Sequence, residues 1–442
     1  MITKPEGSRS LRRVPISAAL VALVALIAPV APIDLVAGSA LAQQAAAPLS
    51  TDQLTPDQLS VLQRPREDYD PLGIRAGQYV IDPSLDVQGA FNSNIYATKS
   101  HTDSDFVTVV TPALNLQSDW VRNAFGLRAQ GEFKENAVHG TEDVNNFTAA
   151  TNGRYDIGRD IYVLGGAGYE LLHEDRGSPN PLQGTTPTQF TVSSGNAGLV
   201  YMPYRLGGRI DATVDSYAFD NVPAGVGTVL NETSRDRIVY ALTPRVSYEV
   251  TPQYNAFLRV VVNRRDYNST RQADGLDRSS AGYQADLGTT LNLARLISGE
   301  IYLGWLQQNY DSNGRSVSGA DFGANLLWNL TPIDSLRLNF SRSVEESTLF
   351  NSVGYLQTSA KLSLEHELLR NVVLVGSLSY VNADFEHVRG SSNYYEASVG
   401  GRYYFNHYFS AGLEYDLRVR SPMESLPSFT QQIVELRLRG QL

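Results

Sequence analysis

The sequence predicts an all-β protein, a transmembrane antiparallel up-and-down β-barrel of about 18 strands over residues 77–442. Three observations support this fold class. Apolar and polar residues alternate along many segments, tight and long connections follow each other in turn, and no long apolar stretch follows the N-terminal segment. Merging weak segments around residues 77–117 would lower the count to 16 strands.

The N-terminal segment has the features of a secretory signal peptide. Basic residues precede the apolar run ISAALVALVALIAPVA, and SALAQQ then places Ala40 and Ala42 in the small-x-small pattern that signal peptidase cleaves. A transmembrane helix is disfavoured because Pro29, Pro32 and Asp34 interrupt the run too early for a ~20-residue span. We therefore expect residues 1–42 to be removed.

Residues 43–76 differ in composition from the remainder of the chain. They are rich in Ala, Pro, Gln and Asp and show no sustained alternation. We expect them to form a periplasmic N-terminal lead-in, after which the barrel occupies residues 77–442.

Alternation is clearest in FSAGLEYDLRVR, residues 409–420. Phe409, Leu413 and Tyr415 fall on one face of a strand, whereas Glu414 and Arg418 fall on the other. A soluble sheet would bury the apolar face, whereas a barrel in lipid turns it outward.

Two features favour the barrel in lipid. Small residues such as Ala360, Ala397 and Gly401 are frequent on the apolar faces, where a dense soluble core would hold larger side chains. Aromatic residues such as Trp120 and Trp328 gather near the tight connections, as expected for a girdle at one membrane interface.

The connections alternate between tight stretches, such as IGRD and TPQY, and long polar ones, such as HEDRGSPNPLQGTTPT. This rhythm predicts short periplasmic turns and long extracellular loops, with both termini on the short-turn side.

The chain ends in the alternating stretch IVELRLRGQL. A closed barrel needs this strand to pair with the first one, near residues 78–91. Leu436, Leu438 and Leu442 are predicted to form the signal by which the barrel assembly machinery recognises the chain. Such strands usually end in Phe, and Leu442 keeps an apolar end.

Composition excludes several function classes. The chain has no cysteine and therefore no disulfide or thiolate site. It carries 36 basic and 46 acidic residues, and cleavage after Ala42 would leave a net charge of −12. Nucleic acid is therefore not an expected partner. No HExxH or CxxC motif and no Ser–His–acid arrangement predicts an enzyme, a metal site or a cofactor.

The polar faces supply the candidate site residues, which we expect to line the lumen. Two interpretations of these charges stay open, bracing of the wall and selectivity for solutes. The candidates are Arg128, Glu132, Arg245, Arg259, Arg337, Glu396, Arg402, Glu414, Asp416, Arg418, Arg437 and Arg439.

The stretch RPREDYDPLGIRAGQYVIDPSLDV, followed by NSNIYAT, resembles the opening of the type-two family of outer-membrane β-barrel porins. Matching positions include Arg64, Tyr69, Asp70 and Gly73, whereas Ser93 stands where Asp is expected. The resemblance implies an outer-membrane barrel of an alphaproteobacterium or a relative. It supplies no catalytic residue, and some relatives lie in exopolysaccharide gene clusters.

The leading functional hypothesis is a passive porin-like channel that passes small hydrophilic solutes and sits in outer-membrane lipid. The rationale is that barrels of 16–18 strands leave an aqueous lumen. Two alternatives stay open. One is an outer-membrane component of exopolysaccharide export, with polysaccharide as its partner. The other is a structural or adhesive barrel plugged by its own loops, given the long segments 173–188 and 219–236.

Overall fold

The computed structural model describes residues 59–180, 184–225, 227–270, 272, 274–293, 296–312, 314–423 and 426–442. The predicted signal peptide, with Ala40 and Ala42, lies outside these residues. Within the described ranges, no helix has the length and apolar character needed to cross a membrane.

Eighteen long strands dominate the structure. They are β1 (Tyr79–Asn92), β2 (Asp105–Ser118), β3 (Ala124–Asn136), β4 (Val144–Asp156), β5 (Ile161–His173), β6 (Gln189–Tyr201), β7 (Leu206–Phe219), β8 (Arg237–Thr251), β9 (Tyr254–Tyr267), β10 (Ser280–Leu293), β11 (Ile297–Tyr310), β12 (Ser316–Thr331), β13 (Asp334–Glu346), β14 (Gly354–Leu369), β15 (Val372–Phe385), β16 (Ser391–Tyr404), β17 (Phe409–Arg420) and β18 (Phe429–Gln441).

The remaining regular elements are short. The strand Ile74–Ala76 pairs antiparallel with the first residues of β1. Val222–Pro223 and Val229–Leu230 form a small separate hairpin in the connection between β7 and β8. Single 3₁₀ turns cover Gly140–Glu142 and Thr233–Arg235.

The sheet closes on itself. Each long strand pairs antiparallel with its neighbour in the chain, and β18 pairs with β1 from Ser84 opposite Gln441 to Asn92 opposite Ile433. The predicted closed antiparallel barrel of 18 strands is therefore confirmed. In the described part of the chain every long strand has a paired neighbour on both sides, which is the condition for a sheet to span a bilayer.

The two faces of the barrel differ as the alternation predicts. On the outer face, Leu413, Leu436 and Leu438 are 59%, 55% and 55% exposed, while charged residues occupy the intervening inner positions. Leu442 follows β18, and its carbonyl accepts a hydrogen bond from the Gly73 amide at 3.2 Å. The outer face offers lipid the apolar surface that a membrane barrel needs.

The two ends of the barrel also differ. At one end, which we call the turn end, the strands are joined by tight connections such as 157–160, 252–253 and 332–333. The start of β1 and the end of β18 also lie at this end. Exposed aromatic residues such as Tyr155 and Phe409 flank this end. At the loop end, longer connections such as 174–188, 220–236 and 268–279 join the strands.

The orientation of β18 can be tested with adjacent residues. Leu436 lies near the middle of the outer face, so Leu436→Arg should lower the free energy of unfolding in lipid vesicles by about 2–4 kcal/mol. Arg437→Leu, on the inner face, should cost much less. Denaturant titrations measure both, and equal losses would mean that the two faces are wrongly assigned.

Candidate functional site

The inner face carries all of the charged candidates from the sequence. Each alternates with apolar residues that are exposed on the outer face. The structure places there Arg128, Glu132, Arg245, Arg259, Arg337, Glu396, Arg402, Glu414, Asp416, Arg418, Arg437 and Arg439. Their role as the lining of a solute path remains a proposal.

One group of these residues forms an ion-pair network across β8–β11. The Arg245 guanidinium donates to Glu300 at 2.7 Å and lies 3.7 Å from the centre of the Phe257 ring. Arg259 pairs with Asp286 at 2.8 Å. Asp286 is fully buried, and the Arg259 guanidinium compensates its charge within the wall.

A second group lies on β16–β18 and β1. Arg439 pairs with Asp86 at 3.2 Å, and Arg437 contacts the side-chain amide of Gln88. Glu396 and Arg418 are only loosely associated, at 3.9 Å.

Three further candidates each have a partner outside these two groups. Arg128 donates to Gln130 at 3.0 Å, Glu132 accepts a hydrogen bond from Asn146 at 2.9 Å, and Arg337 donates to Gln63 at 3.2 Å. The structure therefore does not bring the candidates together in one cluster.

The lumen is narrowed at the loop end by strands that leave the wall. The pairing between β12 and β13 stops at Ala324 opposite Phe340, although β12 begins at Ser316 and β13 continues to Glu346. Over residues 341–346, β13 stays paired with β14. The end of this β13–β14 pair has therefore separated from β12, and we call residues 341–358 the inward hairpin.

Packing shows that the inward hairpin lies inside the lumen. Val344 and Leu356 have the same alternation as the outer residue Leu362, yet they are only 8% and 6% exposed. They pack in one cluster with Leu306 and Val317 of β11 and β12. The inward hairpin therefore lies beneath the inner faces of β11 and β12.

Two arginines hold the inward hairpin in this position. The Arg265 side chain of β9 extends past the intervening strands and donates a hydrogen bond to the Val344 carbonyl at 2.7 Å. Arg342 donates to the Ala320 carbonyl of β12 at 3.0 Å, beyond the last β12–β13 pair. The Arg342 side chain therefore supplies a hydrogen-bond donor to a main-chain carbonyl of β12 that has no partner on β13.

An arginine hub connects the inward hairpin to the extracellular connections. The Arg235 guanidinium donates to Glu174 at 2.6 Å, Glu232 at 2.9 Å and Glu346 at 3.2 Å. Arg235 is only 7% exposed. Its three carboxylate partners come from the connection 174–188, the connection 220–236 and the end of β13.

The electrostatics of the hub follow from this burial. Burial tends to lower the pKa of Arg235, but the charges of Glu346 and Glu174 outweigh it and raise the pKa well above the ordinary value. Burial raises the pKa of Glu232, although the Arg235 charge partly offsets the effect. The arginine therefore stays charged and compensates Glu174 and Glu232, and it shares Glu346 with Arg237, whose guanidinium lies 3.0 Å from that carboxylate.

The connection 174–188 crosses the lumen from β5–β6 to the opposite wall. The Asn180 side chain donates to the Glu346 carbonyl at 3.0 Å and accepts from the Thr348 hydroxyl at 2.7 Å. The Ser178 carbonyl accepts a hydrogen bond from Arg420 of β17 at 2.9 Å. We call the described residues of this connection, 174–180 and 184–188, the crossing loop.

A further arginine ties the hairpin tip to the connection 268–279. Arg278 donates to Asp274 and to the Ser352 carbonyl, both at 2.8 Å. Burial tends to raise the pKa of Asp274, but hydrogen bonds and the charge of Arg278 outweigh it, so the pKa is lowered. The inward hairpin and the crossing loop, with these ties, form the constriction of the lumen.

Across the described ranges, no group of three or more His, Cys, Asp and Glu side chains gathers where it could hold a metal ion.

A family model described as "Putative beta-barrel porin 2" matches residues 66–442 of the sequence. The chain belongs to this family. It is a porin-like barrel of the outer membrane and not an enzyme. The turn end is accordingly the periplasmic end and the loop end the extracellular end.

Several solved structures are similar to this chain at low sequence identity. The protein opdK from Pseudomonas aeruginosa has 11% identity and a TM-score of 0.42, covering 82% of this chain and 99% of its own. OccAB4 from Acinetobacter baumannii has 11% identity and a TM-score of 0.44, covering 86% and 100%. A BenF-like porin from Pseudomonas fluorescens Pf-5 has 9% identity and a TM-score of 0.44, covering 82% and 99%. No curated protein matches the sequence.

Sequence reasoning missed most residues of the constriction. The length of segments 173–188 and 219–236 points to these connections, but no pattern in the sequence singles out Arg235, Asn180 or Arg278. A buried arginine in a polar loop has no periodic signal. Val344 and Leu356 alternate as lipid-facing residues do, so their inward position was not visible in the pattern.

The hub makes a specific prediction. Arg235→Met should leave Glu174 and Glu232 without their cation, whereas Glu346 keeps Arg237. Breaking a buried pair costs about 3–5 kcal/mol. We expect limited proteolysis of the folded barrel to cut the crossing loop faster. Arg264→Met is the control, because its pairs with Asp266 and Asp311 are exposed and worth at most about 1 kcal/mol. Equal cleavage of the two variants would contradict the role of the hub.

Proposed function

We propose that the protein is a passive channel for small hydrophilic solutes. The observation that carries the proposal is the polar, water-accessible inner face in the middle of the barrel. Arg128, Asn152 and Glu414 all lie on that face and are all exposed, although none of them faces lipid. A barrel of 18 strands is wider than its side chains can fill, which supports an aqueous path.

The constriction supports passage of small solutes rather than of long polymers. The crossing loop and the inward hairpin occupy part of the extracellular lumen and are joined through buried ion pairs. A long polymer would have to displace both the crossing loop and the inward hairpin. The same features would also fit a barrel plugged by its own loops, so the experiment must distinguish a plugged barrel from an open one. No described contact favours exopolysaccharide export.

Conductance tests the proposal directly. The purified barrel in a planar bilayer should show stable ion conductance, because a wet lumen carries ions. Swelling of vesicles in neutral sugars of increasing size should reveal a cut-off at small sugars. Heat-modifiable migration of the same sample serves as the control for correct folding.

A silent bilayer with a correctly folded barrel would contradict the channel. If conductance then appeared in Arg235→Met, the barrel would be plugged by its own constriction at rest.

A further inference from the structure

Residues 59–73 lie against the inner face of the barrel at the periplasmic end, and we call them the N-terminal strap. One end of the strap docks on β12–β14. The Leu59 carbonyl accepts from Asn329 at 3.2 Å, and the Val61 amide donates to the Ser335 hydroxyl at 2.9 Å. The next amide along the strap donates to Glu365 at 2.8 Å.

The other end of the strap docks on β16–β18. The Tyr69 carbonyl accepts a hydrogen bond from Gln441 at 3.2 Å. The Asp70 carbonyl accepts from His407 Nδ1 at 2.7 Å. The strap therefore follows an arc of the periplasmic mouth from β18 back to β12.

Burial shows that the strap is part of the wall rather than a loose tail. Val61 is fully buried and Ser60 is 1% exposed. Arg66 is 6% exposed, lies 3.6 Å from Glu367 and is positioned over the Tyr404 ring at 5.4 Å. A second layer on this arc takes space from the mouth of the lumen.

A turn within the strap directs two acidic residues away from the wall. The amides of Tyr69 and Asp70 donate to the Arg66 carbonyl at 2.8 and 2.7 Å, which closes a turn over residues 66–70. Arg66 and Tyr69 face the wall at this turn. Glu67 and Asp68 between them are exposed, and neither forms an ion pair with any residue that the structure describes.

From this geometry we infer that the strap is a built-in second constriction, and that Glu67 and Asp68 set the charge selectivity of the periplasmic mouth. The inference rests on the proposed channel function. Unpaired carboxylates at a narrowed mouth concentrate cations and repel anions. The strap thus narrows the mouth by its volume and biases it by its charge.

The absence of cysteine in the chain allows a clean labelling test. Asp68→Cys should react with a membrane-impermeant, positively charged thiol reagent in a conducting bilayer. The label should lower the conductance and shift the reversal potential towards anion preference. Glu135→Cys is the matched control, because Glu135 follows the outer-face residue Phe133 and is exposed outside the pore. Labelling there should change neither quantity.

Removal of the charge and removal of the strap separate the two effects. Glu67→Gln with Asp68→Asn should reduce cation preference at 0.1 M salt and have little effect at 1 M, since the screening length falls from ~10 Å to ~3 Å. Deletion of residues 43–72 should raise the conductance at both salt concentrations, because it changes the size of the mouth. The charge variants keep the strap contacts, so they test the inference even if the deleted chain fails to assemble.

The outcomes distinguish the inference from the channel itself. A folded wild-type barrel that does not conduct would remove the proposed function. A conducting barrel whose conductance and selectivity are unchanged by the Asp68→Cys label and by the charge variants would overturn the role of the strap.

Discussion

The structure depends on the pairing of the last strand with the first. In lipid, an unpaired main-chain amide or carbonyl costs several kcal/mol, so a sheet can span the membrane only if it closes. The pairing of β18 with β1 provides that closure, with Val87 opposite Leu438 and Gln88 opposite Arg437. The same register places leucines outside and arginines inside, so closure and the polarity of the lumen come from one alignment.

The β12–β13 junction is the place where this constraint is relaxed. On the extracellular side of the Ala324–Phe340 pair the two strands separate. The edge of β12 and the edge of β13 that would face each other there have no main-chain partners. The structure compensates with the Arg342 guanidinium on the Ala320 carbonyl and with apolar packing around Val317. The released hairpin narrows the lumen, so the constriction is made of wall strands as well as of a loop.

The sequence predicts the barrel well because alternation is a local signal, and closure then follows from the requirement that a sheet in lipid has no free edges. The alternation of their immediate neighbours is enough to predict that Leu436 lies on the outer face and Arg437 on the inner face. The inward hairpin has the same alternation as any other part of the wall, and Val344 is buried only because β11 and β12 overlie it. The strap has no periodicity, and its position depends on Asn329, Ser335 and Glu365, which lie more than 260 residues later in the chain. Contacts of that separation cannot be derived from the pattern of one segment.

The extracellular constriction and the N-terminal strap are held in place by different kinds of interaction. The extracellular constriction is held by largely buried charges, such as Arg235 with Glu174 and Glu346, so its geometry depends on carboxylates that are compensated and mostly shielded from water. The periplasmic strap is held by hydrogen bonds from the wall to its main chain, while its free charges, Glu67 and Asp68, stay in water. Buried pairs fix a shape and are little affected by salt, whereas exposed charges act on mobile ions and are screened. Under the proposed channel function, the extracellular end would therefore select by size and the periplasmic end by charge.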